Sequence, residues 1–388
     1  MVGPRWMSGT DVTVPADVAR YCRANGPLES SLIWLGFAVA ALVLAGVAVR
    51  WRHSRRIRRR ATIVAVCFAL VAGLTGVNSY VGYVRDRHDL AVLLERGSGP
   101  LAALGRALDN GSAAASTVAA ARGAGADRDA PRLDSFDLAD PADGIPPGRV
   151  YVLLPPGYTD SSRAYPVVYL AHGYPFGSAQ DWLTAGDATG ALDLLYRDRA
   201  IPPMIVVSAD LTAGRPQRDW EGLDVPGGPR LESFLSGTVV SAVDSRYRTV
   251  RDRASRALGG MSGGAFAALN TGLHHTGEFG ALLLTLPYGT PGDAEDLFHG
   301  DRAAIERNTP RDYLPGVVFH DPVAVFLAAG SHDGGDVARA RELAGELTAA
   351  GQRAVVHIEP GFTHTWRTAR ATLPYMLVFA GDTFPGSG

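Results

Sequence analysis

The sequence predicts a mostly parallel α/β domain with helices on both faces, preceded by a pair of membrane-spanning helices. Three observations carry this expectation. Two long uncharged apolar runs stand near the N-terminus, an arginine-dense segment separates them, and after residue 149 short β-branched runs alternate with amphipathic stretches.

The 388 residues suffice for one large domain with attachments, or for two ordinary domains. An apolar fraction of 46% with 20% charged residues fits a globular protein with some membrane character. A net charge of −2 gives no basic face for a nucleic-acid partner. There is no lysine, so all 37 basic residues are arginine, as expected of a GC-rich coding sequence. Of the two cysteines, Cys22 lies in the N-terminal tail and Cys67 inside an apolar run, so no disulfide is expected between them. None follows residue 85, which removes a cysteine nucleophile and thiolate metal sites from that region.

The apolar runs are Ser31–Val49 and Ala61–Val84. About 20 apolar residues at 1.5 Å rise cross a bilayer's hydrocarbon core, so each is long enough to span. Such long chargeless runs are rare in soluble domains, which disfavours a pair of core helices. A cleaved signal peptide is disfavoured by the mixed-polarity tail that precedes the first run and by the lack of an abutting basic segment. Between the runs, residues 50–60 carry Arg50, Arg52, Arg55, Arg56, Arg58, Arg59 and Arg60. So many guanidinium groups hold the loop on the cytoplasmic side. The tail, residues 1–30, and everything after residue 85 are then expected outside the cytoplasm.

Residues 85–130 read as a linker, with a possible helix over Asp86–Arg106 and a tether over Gly111–Asp129. The remaining chain, 131–388, reads as one domain. Its predicted strands are Arg149–Leu154, Val167–Ala171, Met204–Ala209, Ser255–Gly259, Ala281–Leu286, Val323–Ala329 and Ala354–Ile358. Leu231–Tyr247, Gly263–His275, Asp336–Ala350 and Trp366–Phe379 have helical periodicity. Near-continuous apolar strands alternating with helices imply a parallel sheet buried on both faces.

Gly260-Met261-Ser262-Gly263-Gly264 reads G-x-S-x-G, a spacing in which a sharp strand-to-helix turn lifts a serine hydroxyl above the sheet edge. The spacing alone is weak; the strand before it and the helix after it supply the context. A serine nucleophile needs a base, and the base an orienting carboxylate, following in the order acid then histidine. His53 and His88 flank the apolar runs, His274 and His275 close a helix, His299 and His320 lack a strand end, His357 falls inside a strand, and His172 precedes the serine. Of the remaining two, His364 sits in the loop between the last strand and last helix, where the base must be. For the acid, Asp333 and Asp336 follow the next-to-last strand. Asp336 reads as the N-cap of the following helix, which favours Asp333 as the acid, with Asp336 its competitor and His332 its neighbour. The oxyanion hole needs two backbone N–H groups, one from Gly263 and one from the loop His172-Gly173-Tyr174.

From about Pro131 to Phe384 the chain resembles the esterase D family, which includes feruloyl esterases, S-formylglutathione hydrolase and the mycobacterial mycolyltransferases. The matching pieces are Leu154-Pro155-Pro156-Gly157-Tyr158, Tyr165-Pro166-Val167-Val168-Tyr169-Leu170-Ala171-His172-Gly173, Arg218-Asp219-Trp220, the G-x-S-x-G turn, Gly330-Ser331-His332-Asp333 and Gly361-Phe362-Thr363-His364-Thr365-Trp366. The resemblance implies an α/β-hydrolase fold, a triad of Ser262, Asp333 and His364, and an oxyanion hole from the amides of Tyr174 and Gly263. It further implies substrate contacts from Asp219, Trp220 and Trp366, although Asp219 and Trp220 equally fit a surface turn with a packed indole. The family's usual Ser-Met-Gly-Gly is here Ser262-Gly263-Gly264, with methionine before the serine.

These readings lead to a membrane-anchored serine esterase acting outside the cytoplasm on an ester-containing lipid or envelope substrate, with no metal or organic cofactor. Three alternatives stand beside it: an envelope acyltransferase resembling mycolyltransferases, a non-catalytic hydrolase-fold binding module, and a membrane-complex subunit, which is disfavoured because the two runs hold no acidic residue or histidine for ion or proton transport. The acyl group, the acceptor and the oligomeric state are not legible.

Overall fold

The computed structural model describes residues 12–97, 99, 101–108 and 130–386. The expected tether over Gly111–Asp129 lies outside the described residues. Two compact units are present. One gathers residues up to Cys22 with 126–364 and 368–388; the other comprises 23–125 with 365–367.

In the second unit, α2 (Ser31–Arg50) and α3 (Arg55–Val81) form a helical hairpin, with the rings of Phe37 and Phe68 5.6 Å apart. Both helices are long and apolar enough to cross a membrane, with mean hydropathies of 2.6 and 2.0. Only Ala41 and Ala48 of α2, and Ala61, Ala65 and Ala72 of α3, are buried, while Leu32, Leu42 and Leu74 are more than 70% exposed. Small residues thus face the partner helix and large apolar ones face outward, the reverse of a soluble core helix. The expected second run begins earlier than its apolar part, because Arg55 to Arg60 already form the first turns of α3. The helix expected over Asp86–Arg106 appears as α4 (Arg87–Glu95), capped by the Asp86 carboxylate on the His88 and Asp89 amides, and as a second helical stretch over 101–108.

The first unit is built on an eight-stranded sheet of order β1-β2-β4-β3-β5-β6-β7-β8. The strands are β1 (Arg132–Asp140), β2 (Ile145–Leu154), β3 (Val167–Ala171), β4 (Ile205–Ala209), β5 (Arg256–Met261), β6 (Ala281–Thr285), β7 (Ala324–Gly330) and β8 (Arg353–Glu359). β3 to β8 are parallel to one another, while β2 pairs antiparallel with β4 and β1 antiparallel with β2 at one edge. Every residue of β3 to β7 is buried, the signature of a sheet covered on both faces. β1 was not expected from the sequence. Its segment RLDSFDLAD is polar and half-exposed, as suits an edge strand that must discourage further pairing.

The longer helices of this unit are α5 (Ala188–Arg197), α6 (Val240–Arg246), α7 (Gly263–His274), α8 (Gly334–Ala349) and α9 (Trp366–Thr383). The expected helix over Leu231–Tyr247 is present with a π turn at Phe234–Val239 before α6. α7 packs on β3, β5 and β6, and α8 on β7 and β8. At the far end of α9, Phe379 packs its ring 5.6 Å from that of Phe326 on β7. The short α1 (Ala16–Arg23) belongs to this unit and buries Val18, Ala19 and Cys22.

Candidate active site

Ser262 occupies the turn between β5 and α7 with φ 54° and ψ −121°, a conformation that L-residues rarely adopt. The turn is tight enough to require its glycines. A Cβ on Gly264 would strike the carbonyl oxygens of Ala171 and His172, and one on Gly260 would strike the carbonyl of Gly264 and lie 2.9 Å from that of Ala171. Although Ser262 stands at the N-cap of α7, its hydroxyl makes no capping bond. It is left to bond the imidazole: Nε2 of His364 lies 2.9 Å from Ser262 Oγ.

His364 sits in the loop between β8 and α9, held by stitching between the ends of β7 and β8. The His332 amide donates to the Phe362 carbonyl at 2.8 Å, and the Gly361 amide to the Ser331 hydroxyl at 2.9 Å. Just past His364, the Thr368 hydroxyl donates to the Thr363 carbonyl.

The carboxylate on this imidazole is Asp336, and the expectation of Asp333 is corrected. His364 Nδ1 is 2.9 Å from Asp336 Oδ2. Asp333 instead caps α8, its Oδ1 accepting from the amides of Gly335 and Asp336 at 3.0 Å each. The helix therefore starts at Gly334, before the two glycines rather than after them. Asp336 falls in its first turn, where the helix dipole favours negative charge. Its side chain is 1% exposed and also accepts from Arg339. Burial alone would raise the Asp336 carboxyl, but the bond and charge of His364, with Arg339 behind them, hold it below the usual carboxylate range. Asp336 thus stays ionised beside the imidazole.

Gly263 is the first residue of α7, so its N–H has no acceptor within the helix. A Cβ placed on it would lie 3.5 Å from the Cβ of Tyr174, so the two residues expected to supply the oxyanion donors are neighbours. His172, set aside as a base, braces this loop. Its Nε2 accepts from the Leu211 amide at 3.0 Å, so the proton is on Nδ1, which donates to the Gly173 carbonyl at 3.0 Å. The Trp182 indole adds a bond to the Ala171 carbonyl at 2.9 Å.

Asp219 and Trp220 line a cleft beside the serine together with Tyr174 and Gly263. Trp220 is 7% exposed and its indole N–H donates to the Thr212 carbonyl at 2.9 Å, with the Arg218 guanidinium over its ring. The packed-indole reading fits it well. Trp366 is buried at the start of α9 and does not line this cleft. Two residues missed in the sequence join the site. Glu221, next to Trp220, is buried and accepts from the Tyr288 hydroxyl at 2.6 Å, and Tyr288 also interacts with Ser262. Neither lies in a motif; the only local signal for Glu221 was its position beside Asp219-Trp220.

Residues 147–379 match the Esterase family. Esterase Rv1288 of Mycobacterium tuberculosis is 36% identical over 152 residues, covering 38% of this chain and 31% of that protein. The uncharacterized protein Cgl0967/cg1104 of Corynebacterium glutamicum is 26% identical over 227 residues, 53% of this chain and 52% of that protein. The matched stretches thus span 31% and 52% of the length of these relatives. Among solved structures, a ferulic acid esterase superposes with a TM-score of 0.58 at 23% identity, covering 66% of this chain and all of that one. S-formylglutathione hydrolase from Agrobacterium tumefaciens gives 0.55 at 14% identity, covering 66% of this chain and 96% of that one. Both share the mostly parallel sheet and its helices. With the family match running over most of the sheet domain, the chain belongs to the Esterase family, on the α/β-hydrolase fold.

Proposed function

We propose that this protein is a membrane-anchored serine esterase with Ser262 as nucleophile, His364 as base and Asp336 as orienting acid. The observation that carries the reading is the unbroken chain of bonds from Ser262 Oγ through His364 to Asp336, 2.9 Å at each step. In the first half-reaction Ser262 Oγ attacks the ester carbonyl while His364 Nε2 takes its proton. Negative charge on the carbonyl oxygen is met by the amides of Gly263 and Tyr174, each worth about 3–4 kcal/mol. The imidazolium returns the proton to the leaving alcohol, and ionised Asp336 holds the ring and stabilises its charge. Water, deprotonated by the same imidazole, then releases the acid and restores Ser262.

Anchoring is supported by the outward-facing leucines of α2 and α3, which need a lipid environment. The arginines around the turn favour its cytoplasmic placement. The grouping of α1 with the sheet domain supports one side for the segments before and after the hairpin. Tyr21, on α1, fits this, its hydroxyl lying 2.5 Å from where a Cβ on Gly190 would stand. An extracytoplasmic domain tied to the bilayer reaches esters of membrane lipids or of the cell envelope, and these are the proposed substrates. The test is a panel of p-nitrophenyl and lipid esters offered to full-length protein in detergent or vesicles. Hydrolysis by wild type and its loss in Ser262→Ala is the expected result; equal hydrolysis by both rejects the assignment.

A further inference from the structure

Glu221 holds an unusual position beside the serine. Its backbone is left-handed, with φ 45°, a conformation uncommon for a residue with a side chain and concentrated at ligand-contacting positions. Its side chain is 7% exposed. Oε1 is braced by the Tyr288 hydroxyl at 2.6 Å, and the Tyr288 ring is itself stacked on Phe266, 5.6 Å between centroids. Oε2 is buried and no donor reaches it among the described residues. It lies 3.5 Å from where a Cβ on Gly263 would stand, in the cleft shared with Tyr174 and Asp219. A buried polar oxygen without a partner is costly, and a rigidly held one calls for a ligand.

We propose that Glu221 is a specificity-determining residue, its Oε2, which no protein donor reaches, bonding a polar atom of the acyl group next to the scissile carbonyl. The inference rests on the serine-esterase reading of Ser262. Burial, then the neighbouring Asp219 charge and a side-chain hydrogen bond with Asp219, outweigh the Tyr288 bond and push the Glu221 carboxyl up to about 8, so it carries a proton at neutral pH. Because Oε1 accepts from Tyr288, that proton belongs on Oε2, a donor for which an acyl oxygen competes with the Asp219 carboxylate. The complementary acyl group carries an oxygen acceptor, such as an ether, hydroxyl or ketone, one or two carbons from the carbonyl. The other charged or titratable groups around Glu221 are Arg218 and Asp219 of its own loop, His172 and Tyr174 from the loop after β3, Asp293 near Asp219, Tyr288 from the loop after β6, and His364 on Ser262.

The test compares p-nitrophenyl methoxyacetate with p-nitrophenyl butyrate, which differ by one ether oxygen in place of a methylene. The ratio of kcat/KM values, normalised to the hydroxide rates, is measured on full-length protein at pH 6 to 9. For Glu221→Leu that still reacts with a fluorophosphonate at Ser262, the ratio is expected to fall about five- to tenfold, the worth of one neutral hydrogen bond. A ratio within twofold of wild type overturns the proposal. Glu221→Gln keeps a donor and cannot ionise, so the wild-type ratio is expected to decline above pH 8 while the Gln ratio stays level. This second comparison decides the matter if Glu221→Leu does not fold, and parallel profiles overturn the proposal. Wild type that neither turns over an ester nor takes the fluorophosphonate refutes the esterase reading itself, and this inference falls with it.

Discussion

Asp333 and Asp336 divide two tasks along one turn of helix: Asp333 caps the α8 N-terminus through two amides, and Asp336 holds Nδ1 of His364. The two carboxylates are three residues apart, and substituting each has a different expected consequence. Asp336→Asn leaves the imidazole without its ionised partner, and kcat for an activated ester is expected to drop about 10⁴-fold. Asp333→Ala is expected to keep kcat within a few-fold and cost about 1 kcal/mol of stability, the worth of an N-cap. Steady-state kinetics and thermal melts of both variants check the division, and a reversed pattern would return the acid to Asp333.

The same carboxylate gives a pH dependence. A folded-state pKa held below its unfolded value contributes stability above the unfolded value, about 3.9 for Asp, and loses it as pH falls through the folded one. Wild type is therefore expected to melt above Asp336→Asn at pH 6, with the gap closing below about pH 4. Melting curves from pH 3 to 7 read this directly.

Glu221 has the opposite sign. Its carboxyl, raised to about 8, binds a proton in the folded state that the unfolded chain has released. Stability therefore falls as pH rises from the unfolded value, about 4.3 for Glu, toward 8, and levels off beyond. Glu221→Gln has no such titration, so its advantage over wild type is expected to grow between pH 5 and 8. A constant offset across that range would mean that Glu221 is ionised in the folded protein.

The turn around Ser262 admits no side chain at Gly264, because a Cβ there meets two backbone carbonyls that cannot rotate away. Gly264→Ala is expected to cost about 3 kcal/mol and to displace the serine. Soluble expression and fluorophosphonate reactivity measure both effects. A fully reactive, stable variant would show the backbone to be more pliant than this packing allows.

The membrane arrangement predicts opposite outcomes for reporter fusions. Alkaline phosphatase fused after Arg85 is expected to be active and the same enzyme fused after Arg52 inactive, with a cytoplasm-dependent fluorescent reporter giving the reverse. Activity at both junctions would remove the proposed topology.

Much of the fold was legible because burial on two faces leaves uninterrupted apolar strands. Val167–Ala171 appears with the bounds that the sequence suggests, and the other parallel strands differ by a residue or two. β1 was illegible for the converse reason, since an edge strand has little apolar pattern to read. Ser262 and His364 could be found because one needs glycines around it and the other needs the loop after the last strand. The acid could not be separated on that basis. Asp336 read as the N-cap of the helical pattern that follows it, yet an aspartate side chain can also cap a helix that begins with glycine, and Asp333 does so. Glu221 and Tyr288 were invisible because their roles arise from proximity across the sheet edge, between the loops after β4 and β6.

The most direct measurement of the central claim is peptide mapping after reaction with a fluorophosphonate. The account predicts a single covalent adduct on the peptide containing Ser262, slowed severely in His364→Ala and absent in Ser262→Ala. An adduct on another residue, or none on a folded protein whose His364 is intact, would contradict it.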